Sequence, residues 1–396
     1  MNQAEYKEKI ISYLLFLGLF LSLFFIYFAQ ERLFRNITTG NLSLGPEKYM
    51  RILSVIAIFV AVITALFSAR TKYKVSVYFA YSILMLYITC NYIISGADLL
   101  DMSQFMDGKG IGTWICLGLI FVGYNDQRFA FFNKFLIFSA VFIACLALYN
   151  IFDFGIGYWR GQALSKYQVY ATNYLWIAPY VFLILKNNEK LKWLRIFIIL
   201  MGFILSLIIQ TRSFIIIYFM VLLFDFINTK NKGSYIALIV IGLAAMIFLI
   251  LNTQVLGTSF ELLLDRGTND TRTRQLGVFI SQLDPIELIT GKGFFASYRF
   301  GTEDWTAVDN QWLFLIWWGG LIPFLAYFYL AAILPIRMIF KKNLTYETKV
   351  ECFVLILWIL ALAGLAIFSS MTIDFFFFVI SIILGRVLYK YSINAN

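Results

Sequence analysis

Arginine side chains at the turns between apolar segments are the residues of this chain best placed to do chemistry. Arg160 and Arg212 stand in such turns, and Arg272 and Arg274 open an amphipathic stretch at 271–283. A cation in the first turn of a helix opposes the helix dipole and costs about 0.3–1 kcal/mol, so helix stability does not explain Arg272 and Arg274. Arginine forks beside a helix N-terminus are suited to a phosphate or pyrophosphate. Pairing with lipid headgroups or with aspartates is the alternative for each arginine.

Asp309 stands where a polar segment meets an apolar run, and two roles are open for it. It can cap the helix that begins near Asn310, or it can serve as a catalytic or orienting carboxylate. The candidate catalytic residues are Arg212, Arg272, Arg274 and Asp309. The candidate substrate-binding residues are Arg160, Lys292, Tyr298, Arg299 and Asn310, and surface solvation is the alternative for Lys292 and Arg299.

The residue inventory narrows the chemistry further. Histidine is absent from the sequence, which removes imidazole metal sites, Ser-His-Asp and Cys-His nucleophile systems and histidine pH switches. The cysteines all lie in apolar runs: Cys90, Cys116, Cys145 and Cys352. We expect them to be small buried hydrophobes rather than disulfide partners or zinc ligands. The sequence therefore predicts neither a metal nor another cofactor.

The elements that must position these residues are apolar. Of the 396 residues, 61% are hydrophobic and 14% are charged, against about 25% charged in an average soluble protein. One soluble domain could not keep that much apolar surface out of water. The net charge of +10 is interpreted as basic cytoplasmic loops rather than as a nucleic-acid surface.

Helices are the expected spanning element, because no ten-residue strand alternation recurs. The sequence predicts an all-α, polytopic integral membrane protein with a single transmembrane domain, 1–396, and about twelve helices. The predicted spans are 10–29, 51–68, 75–95, 111–124, 129–152, 169–185, 196–210, 214–228, 235–251, 311–335, 350–370 and 373–388. Lys and Arg are densest in the short segments that lie inside if both termini are cytoplasmic, which supports that orientation. The same rule favours two separate helices over one bent helix at 196–228, because one bent helix would place the basic loop 336–349 outside.

One long segment, 252–310, is predicted to be a large extracytoplasmic loop between spans nine and ten. Its stretch 271–283 has helical apolar spacing and is expected to lie on the membrane surface as an amphipathic helix. Asp284-Pro285 is predicted to end that helix, and Gly291-Lys292-Gly293 is predicted to be a flexible turn.

Other polar and aromatic residues receive simpler interpretations. Asp225 and Glu351 fall at inner span ends, where we expect water to solvate them. The aromatic runs Phe375–Phe378 and Trp317-Trp318 are interpreted as lipid-facing or interfacial packing.

Three patterns together resemble the superfamily of O-antigen polymerases and O-antigen ligases over roughly residues 150–335. The first is Tyr158-Trp159-Arg160-Gly161 before the 170–180 span. The second is the turn Thr211-Arg212-Ser213 followed at once by an apolar helix. The third is the late loop, with Arg272 and Arg274, then Gly291-Lys292-Gly293-Phe294, then Asp309-Asn310 and Trp318-Gly319-Gly320.

The resemblance implies a multi-pass enzyme of the bacterial inner membrane that transfers glycosyl groups on its periplasmic face without a metal. Its substrates would be oligosaccharides on undecaprenyl pyrophosphate, and its partners would be membrane lipid and a chain-length regulator (polysaccharide co-polymerase). Ligases of this superfamily carry a functional histidine just before the matching late span. Asp309 occupies that position here, which favours the polymerase branch.

Two other functions stay open at this point. An O-antigen ligase would transfer finished polymer to lipid A–core. A lipid-linked oligosaccharide flippase or other transporter would also fit twelve spans, and internal repeats or broken helices near the midplane would favour it. A non-catalytic membrane scaffold is a further alternative.

Overall fold

The protein is mostly helical in the computed structural model. The structure describes residues 3–39, 47–69, 71–99, 101–105, 107–154, 166–209, 212–229, 233, 277–305, 310–361 and 375–393. In the first half of the chain the helices are α1 Gln3–Thr39, α2 Glu47–Ser68, α3 Val75–Ile94, α4 Met102–Phe105, α5 Ile111–Leu117, α6 Asp126–Phe154 and α7 Lys166–Ile184. They continue as α8 Lys192–Ile208, α9 Arg212–Ile227, α10 Pro285–Thr290, α11 Gln311–Gly319, α12 Leu321–Phe328, α13 Leu334–Ile339, α14 Tyr346–Ala361 and α15 Phe375–Ile393.

Shorter elements join some of these helices. The 3₁₀ stretch Gly118–Val122 continues α5, and the π-helical turn Tyr329–Ile333 joins α12 to α13. A two-stranded antiparallel hairpin, β1 Tyr298–Phe300 and β2 Glu303–Trp305, lies in the predicted large loop.

The described helices include seven that are long and apolar enough to cross a membrane. They are Glu5–Phe25, Tyr49–Ser68, Val75–Ile94, Asp126–Tyr149, Glu189–Ile208, Leu321–Ile339 and Phe375–Ile393. A helix needs about 20 residues to cross the hydrocarbon core, which these segments approach. The predicted multi-pass membrane protein is confirmed to that extent. The ninth predicted span, 235–251, lies outside the described residues, and the count of twelve stays a prediction.

The chain divides into two compact units. The first unit comprises residues 1–25, 46–131 and 271–396, and the second comprises 26–45 and 132–270.

The first unit has two polar ends, which α3 connects. The Glu8 end gathers Glu8, Tyr73, Tyr124 and Arg386, where the Tyr73 hydroxyl donates hydrogen bonds to the carbonyls of Ile120 (2.7 Å) and Gly385 (3.3 Å). The Gly-Lys-Gly end gathers the turns 108–110 and 291–293. Since α3 has 20 residues, the two ends lie roughly 30 Å apart.

A helical hairpin replaces the continuous tenth span predicted at 311–335. Gly320 adopts φ +83° and ψ −176° between α11 and α12, and a side-chain Cβ there would overlap the Ile289 carbonyl oxygen. Trp312, near the start of α11, packs its ring 5.5 Å from that of Phe328. In a continuous helix these residues would be about 24 Å apart, so α11 folds back along α12. The prediction of one unbroken helix over 311–335 was wrong, because apolar residues on both sides of Gly320 conceal the break.

The second unit contains a three-helix packing of α7, α8 and α9. Phe203 of α8 contacts Tyr218 and Phe219 of α9, with ring centroids 5.5 and 5.3 Å apart. Gly202 permits this approach, because a side chain there would overlap the Tyr218 ring. The two helices are therefore separate antiparallel neighbours, as predicted for 196–228, and residues 210–211 between them lie outside the described part of the chain.

Two carboxylates predicted to be solvated are in fact buried and ion-paired. Asp225 is 0% exposed; it pairs with Lys186 at 2.9 Å and also with Arg195. Glu351 is 2% exposed and accepts from Lys390 Nζ at 2.8 and 2.9 Å. The predictions were wrong because burial at a span end depends on partners that are distant in sequence.

The aromatic runs and the cysteines also depart from expectation. Phe375–Phe378 and Trp317-Trp318 are at most 1% exposed, so they pack inside the first unit and do not face lipid. Cys116 and Cys352 are buried as predicted, whereas Cys90 and Cys145 are exposed. All four thiols are free.

Candidate functional site

Two Gly-Lys-Gly turns meet at one end of the first unit. Gly108-Lys109-Gly110 precedes α5, and Gly291-Lys292-Gly293 follows α10. The Lys109 ammonium lies 5.1 Å from the centre of the Phe294 ring, the residue directly after the second turn. Our sequence interpretation missed Lys109. The signal that could have revealed it is the repeated tripeptide, with each lysine between two glycines at a helix boundary.

The second turn is held by backbone hydrogen bonds, and its predicted flexibility stays a prediction. Lys292 N–H donates to the Trp317 carbonyl (2.8 Å), Gly293 N–H to the Trp318 carbonyl (3.0 Å) and Phe294 N–H to Ser95 Oγ (2.9 Å). Gly291 and Gly293 adopt φ +75° and +92°, the region that glycine favours. The glycines therefore permit a conformation that backbone hydrogen bonds then fix.

Lys292 already has partners inside the protein. Its ammonium lies 3.1 Å from Glu287 Oε2 and 4.6 Å from the centre of the Trp317 ring. The Asp284 N–H donates to Glu287 at 3.1 Å, and this hydrogen bond, with Lys292 adding to it, lowers the pKa of the Glu287 carboxyl. Lys292 is thus neutralised by an ionised carboxylate, which makes it the weaker of the two lysines as an anion ligand.

Lys109 is the more unusual group. It is 8% exposed, and among the described residues it forms no ion pair and its ammonium has no hydrogen bond. Burial lowers the pKa of Lys109, and the charge of Asp107 opposes that shift. Burial also raises the pKa of Asp107, whose Oδ1 accepts the Lys109 backbone N–H at 2.8 Å. A nearly buried ammonium that relies on a ring face and a nearby charge can accept an anionic ligand.

A cavity of about 440 Å³ adjoins the second turn. Its walls include Tyr87, Asn91 and Ser95 of the α3 end, together with Thr290 and Lys292. The Tyr87 hydroxyl donates to the Thr290 carbonyl at 2.8 Å, which ties α3 to α10 across the cavity. The cavity combines hydroxyl, amide and ammonium groups, the set that recognises sugars and phosphates.

The N-cap of α11 is Asn310. Asn310 Oδ1 accepts the backbone N–H groups of Trp312 (3.0 Å) and Leu313 (3.1 Å). These are two of the donors that a helix start leaves unpaired. Asn310 therefore has a structural role, and its predicted role in substrate binding stays a prediction.

Tyr298 and Arg299 occupy opposite faces of β1. Tyr298 is 2% exposed, with its ring 5.8 Å from those of both Phe279 and Trp317. Its ring is thus part of the packed interior, whereas the Arg299 side chain is exposed. Arg299 exchanges backbone hydrogen bonds with the Gln282 side chain at 2.9 and 3.1 Å. Substrate binding by either residue stays a prediction.

The described end of the predicted amphipathic helix packs against protein. Residues 277–281 are helical, and Phe279 is 0% exposed against Trp317 at 4.5 Å, while Ile280 is 58% exposed. Asp284 then caps α10 through a capping box with Glu287, which agrees with the predicted helix end at Asp284-Pro285.

The remaining predicted residues are not brought together by the described part of the chain. Arg160, Arg272, Arg274 and Asp309 lie outside the described residues. Arg212 is the first residue of α9, in the second unit. Among the residues that the structure does describe, no group of Cys, Asp and Glu side chains is placed to hold a metal ion. Comparison of the chain with protein-family models, curated proteins and solved structures gives no match.

Proposed function

We propose that the protein is a surface-polysaccharide polymerase of the O-antigen type. It joins oligosaccharide repeat units, carried on undecaprenyl pyrophosphate, by metal-independent glycosyl transfer. The order of the motifs around Arg160, Arg212, Arg272 and Asp309 is the basis of this proposal. In it the chain crosses the bacterial inner membrane about twelve times with both termini cytoplasmic. The loop 252–310, with its amphipathic helix, and the reacting groups are periplasmic.

The single observation that carries the proposal is the cap of α11. Asn310 caps α11 with two hydrogen bonds, so the helix has a cap without Asp309, and this supports the proposed catalytic role of Asp309. The Gly-Lys-Gly end adds support, because its nearly buried Lys109 and its polar cavity suit an anionic, sugar-bearing substrate.

In the proposed reaction, the acceptor repeat unit attacks the anomeric carbon of the lipid-linked donor chain through a terminal hydroxyl. A glycosidic C–O bond forms, the C–O bond to the pyrophosphate breaks, and undecaprenyl pyrophosphate leaves with the bonding electrons. Asp309 accepts the proton of the attacking hydroxyl. Arg212, Arg272 and Arg274 stabilise the charge that develops on the leaving pyrophosphate. Arg160, Lys292, Tyr298, Arg299 and Asn310 bind the pyrophosphate or the sugars.

A specific feature also favours a second function, transport of the lipid-linked oligosaccharide. Helix α11 is short and folds back at Gly320. Trp312, in its first turn, contacts Phe328, which lies about two helical turns beyond Gly320 in α12. Broken helices of this kind build the substrate sites of many transporters. A flippase would move the same substrate without joining the units.

Gel analysis of the surface polysaccharide after deletion of the gene separates these functions. In a lipopolysaccharide-producing host, loss of a polymerase leaves lipid A–core with a single repeat unit. Loss of a ligase leaves bare core and carrier-bound polymer, and loss of a flippase leaves neither polymer nor single repeat. Either of the last two patterns would contradict the polymerase.

Site variants test the mechanism in the complemented strain. Arg272→Ala and Asp309→Asn should abolish the polymer ladder while the protein still inserts, as measured by its abundance in membranes. Arg337→Ala is the matched control, since Arg337 is an exposed arginine of α13 outside the proposed site. A normal ladder in both site variants would contradict the assigned roles.

A further inference from the structure

A cavity of about 830 Å³ lies at the Glu8 end of the first unit, remote from the Gly-Lys-Gly end. Its walls come from the start of α1, the end of α2, the segment around 124–127 and α15, and include Lys7, Glu8, Lys72 and Asp126. Its volume is within the range of about 300–1,000 Å³ that is usual for sites of organic ligands. The function proposed above does not use it.

The carboxylates of this cavity are already neutralised inside the protein. Glu8 accepts from Arg128 at 2.5 Å and from Asn125 at 2.9 Å on one oxygen, and from the Tyr124 hydroxyl on the other. Asp126 pairs with Arg386. Both Glu8 oxygens therefore accept hydrogen bonds inside the protein, and each of the two carboxylates has an arginine partner.

The lysines of the cavity have no such partner. Lys7 and Lys72 both line it, and neither forms an ion pair with a carboxylate among the described residues. Lys9, two residues from Lys7 on the same helix, instead pairs with Glu5 at 3.8 Å. The cavity therefore carries an excess of positive charge from two lysines, and an anion with several acceptor oxygens complements it.

The apolar part of the wall narrows the class of ligand. Phe67 lines the cavity and is 79% exposed, and Tyr389 lies on the same wall. Three of the surrounding helices, α1, α2 and α15, contain candidate membrane spans, so the cavity lies at the ends of membrane-crossing segments. A phosphate group next to exposed apolar surface at the ends of such helices is the arrangement of a phospholipid headgroup and its first acyl carbons.

We propose that the Glu8-end cavity binds the phosphate headgroup of an anionic phospholipid, with Lys7 and Lys72 as its charged ligands. The ligand chemistry is a phosphate ester, and an anionic headgroup supplies it together with an apolar tail that Phe67 contacts. This site does not depend on the polymerase proposal.

The test uses the full chain reconstituted in nanodiscs of phosphatidylcholine with and without phosphatidylglycerol, then released into detergent, with retained lipid counted by native mass spectrometry. The wild type should retain phosphatidylglycerol in preference to phosphatidylcholine. The double variant Lys7→Gln/Lys72→Gln should bind it about 30-fold more weakly, equivalent to about 2 kcal/mol at roughly 1 kcal/mol per basic side chain.

Lys9→Gln is the matched control, since it removes one positive charge from the same helix but not from the cavity, and it should bind like the wild type. Equal retention by the double variant and by Lys9→Gln would overturn the site. Addition of inorganic phosphate distinguishes the two sources of phosphate. If inorganic phosphate displaces the lipid only when the phosphate concentration is far above the lipid concentration, the result supports a lipid headgroup as the ligand. Phosphate binding with no preference for phosphatidylglycerol would overturn the lipid assignment.

Discussion

The ion cluster around Asp225 predicts a large loss of stability when its carboxylate is neutralised. Asp225 is 0% exposed and is shared by Lys186 and Arg195, whose side chains are 15% and 18% exposed. Asp225→Asn leaves two partly buried cations without a counter-ion. Removing one partner of a buried pair costs about 3–5 kcal/mol, so we expect a decrease of that size in the free energy of unfolding.

An exposed pair in the same protein provides the control. Glu5 pairs with Lys9 at 3.8 Å, and their side chains are 59% and 51% exposed. Surface ion pairs contribute about 0–1 kcal/mol, so Glu5→Gln should decrease the free energy of unfolding by an amount within that range. The assay is equilibrium unfolding of the full chain in detergent, followed by tryptophan fluorescence.

A third variant separates the ion pair from mere packing. Replacing Lys186, Arg195 and Asp225 together by Met, Met and Leu removes all three charges, and such exchanges are often neutral or stabilising. We expect it to recover much of the loss seen in Asp225→Asn. The reasoning is refuted if Asp225→Asn is no less stable than Glu5→Gln, or if the triple variant is less stable than Asp225→Asn.

Two further predictions concern the Gly-Lys-Gly end. Burial lowers the pKa of Lys109 in the folded protein, so the unfolded state binds the Lys109 proton more tightly than the folded state does. The free energy of unfolding therefore rises with pH up to the ordinary pKa of a lysine, about 10.4. Lys109→Met should flatten that rise in the alkaline range, and an unchanged dependence of stability on pH would contradict the effect of burial on Lys109. Gly320→Ala should destabilise by more than about 2 kcal/mol, since it combines a positive φ with a backbone overlap. Gly301→Ala, at φ +69° with open space around it, should cost only the backbone strain of about 1–2 kcal/mol.

Local apolar pattern was enough to predict most of the helices. The runs at 75–95 and 129–152 correspond to α3 and α6 within a few residues. The antiparallel pair α8 and α9 also followed from sequence, because the basic-loop rule required a turn at 210–213. These features depend on residues that are neighbours in the chain, and therefore hydropathy and charge counts detect them.

Features that depend on distant residues could not be predicted in this way. Asp225 and Arg195 are 30 residues apart in sequence, and nothing local shows whether a carboxylate at a span end has water or an arginine beside it. The fold-back at Gly320 is concealed for a different reason. Apolar residues on both sides give a continuous hydropathy signal, whereas the break is a matter of backbone φ and of how closely Ile289 approaches.

The cap of α11 changes what an Asp309 experiment can decide. From sequence alone, an active Asp309→Asn variant would have assigned Asp309 to the helix cap, because Asn is as good a cap as Asp. Asn310 already accepts both of these cap hydrogen bonds. The start of α11 therefore has a cap that does not depend on Asp309. Asp309→Asn preserves shape and hydrogen-bonding capacity while it removes the ability to take a proton. Loss of polymer in that variant, with α11 still capped by Asn310, would therefore report on proton transfer rather than on the stability of the helix.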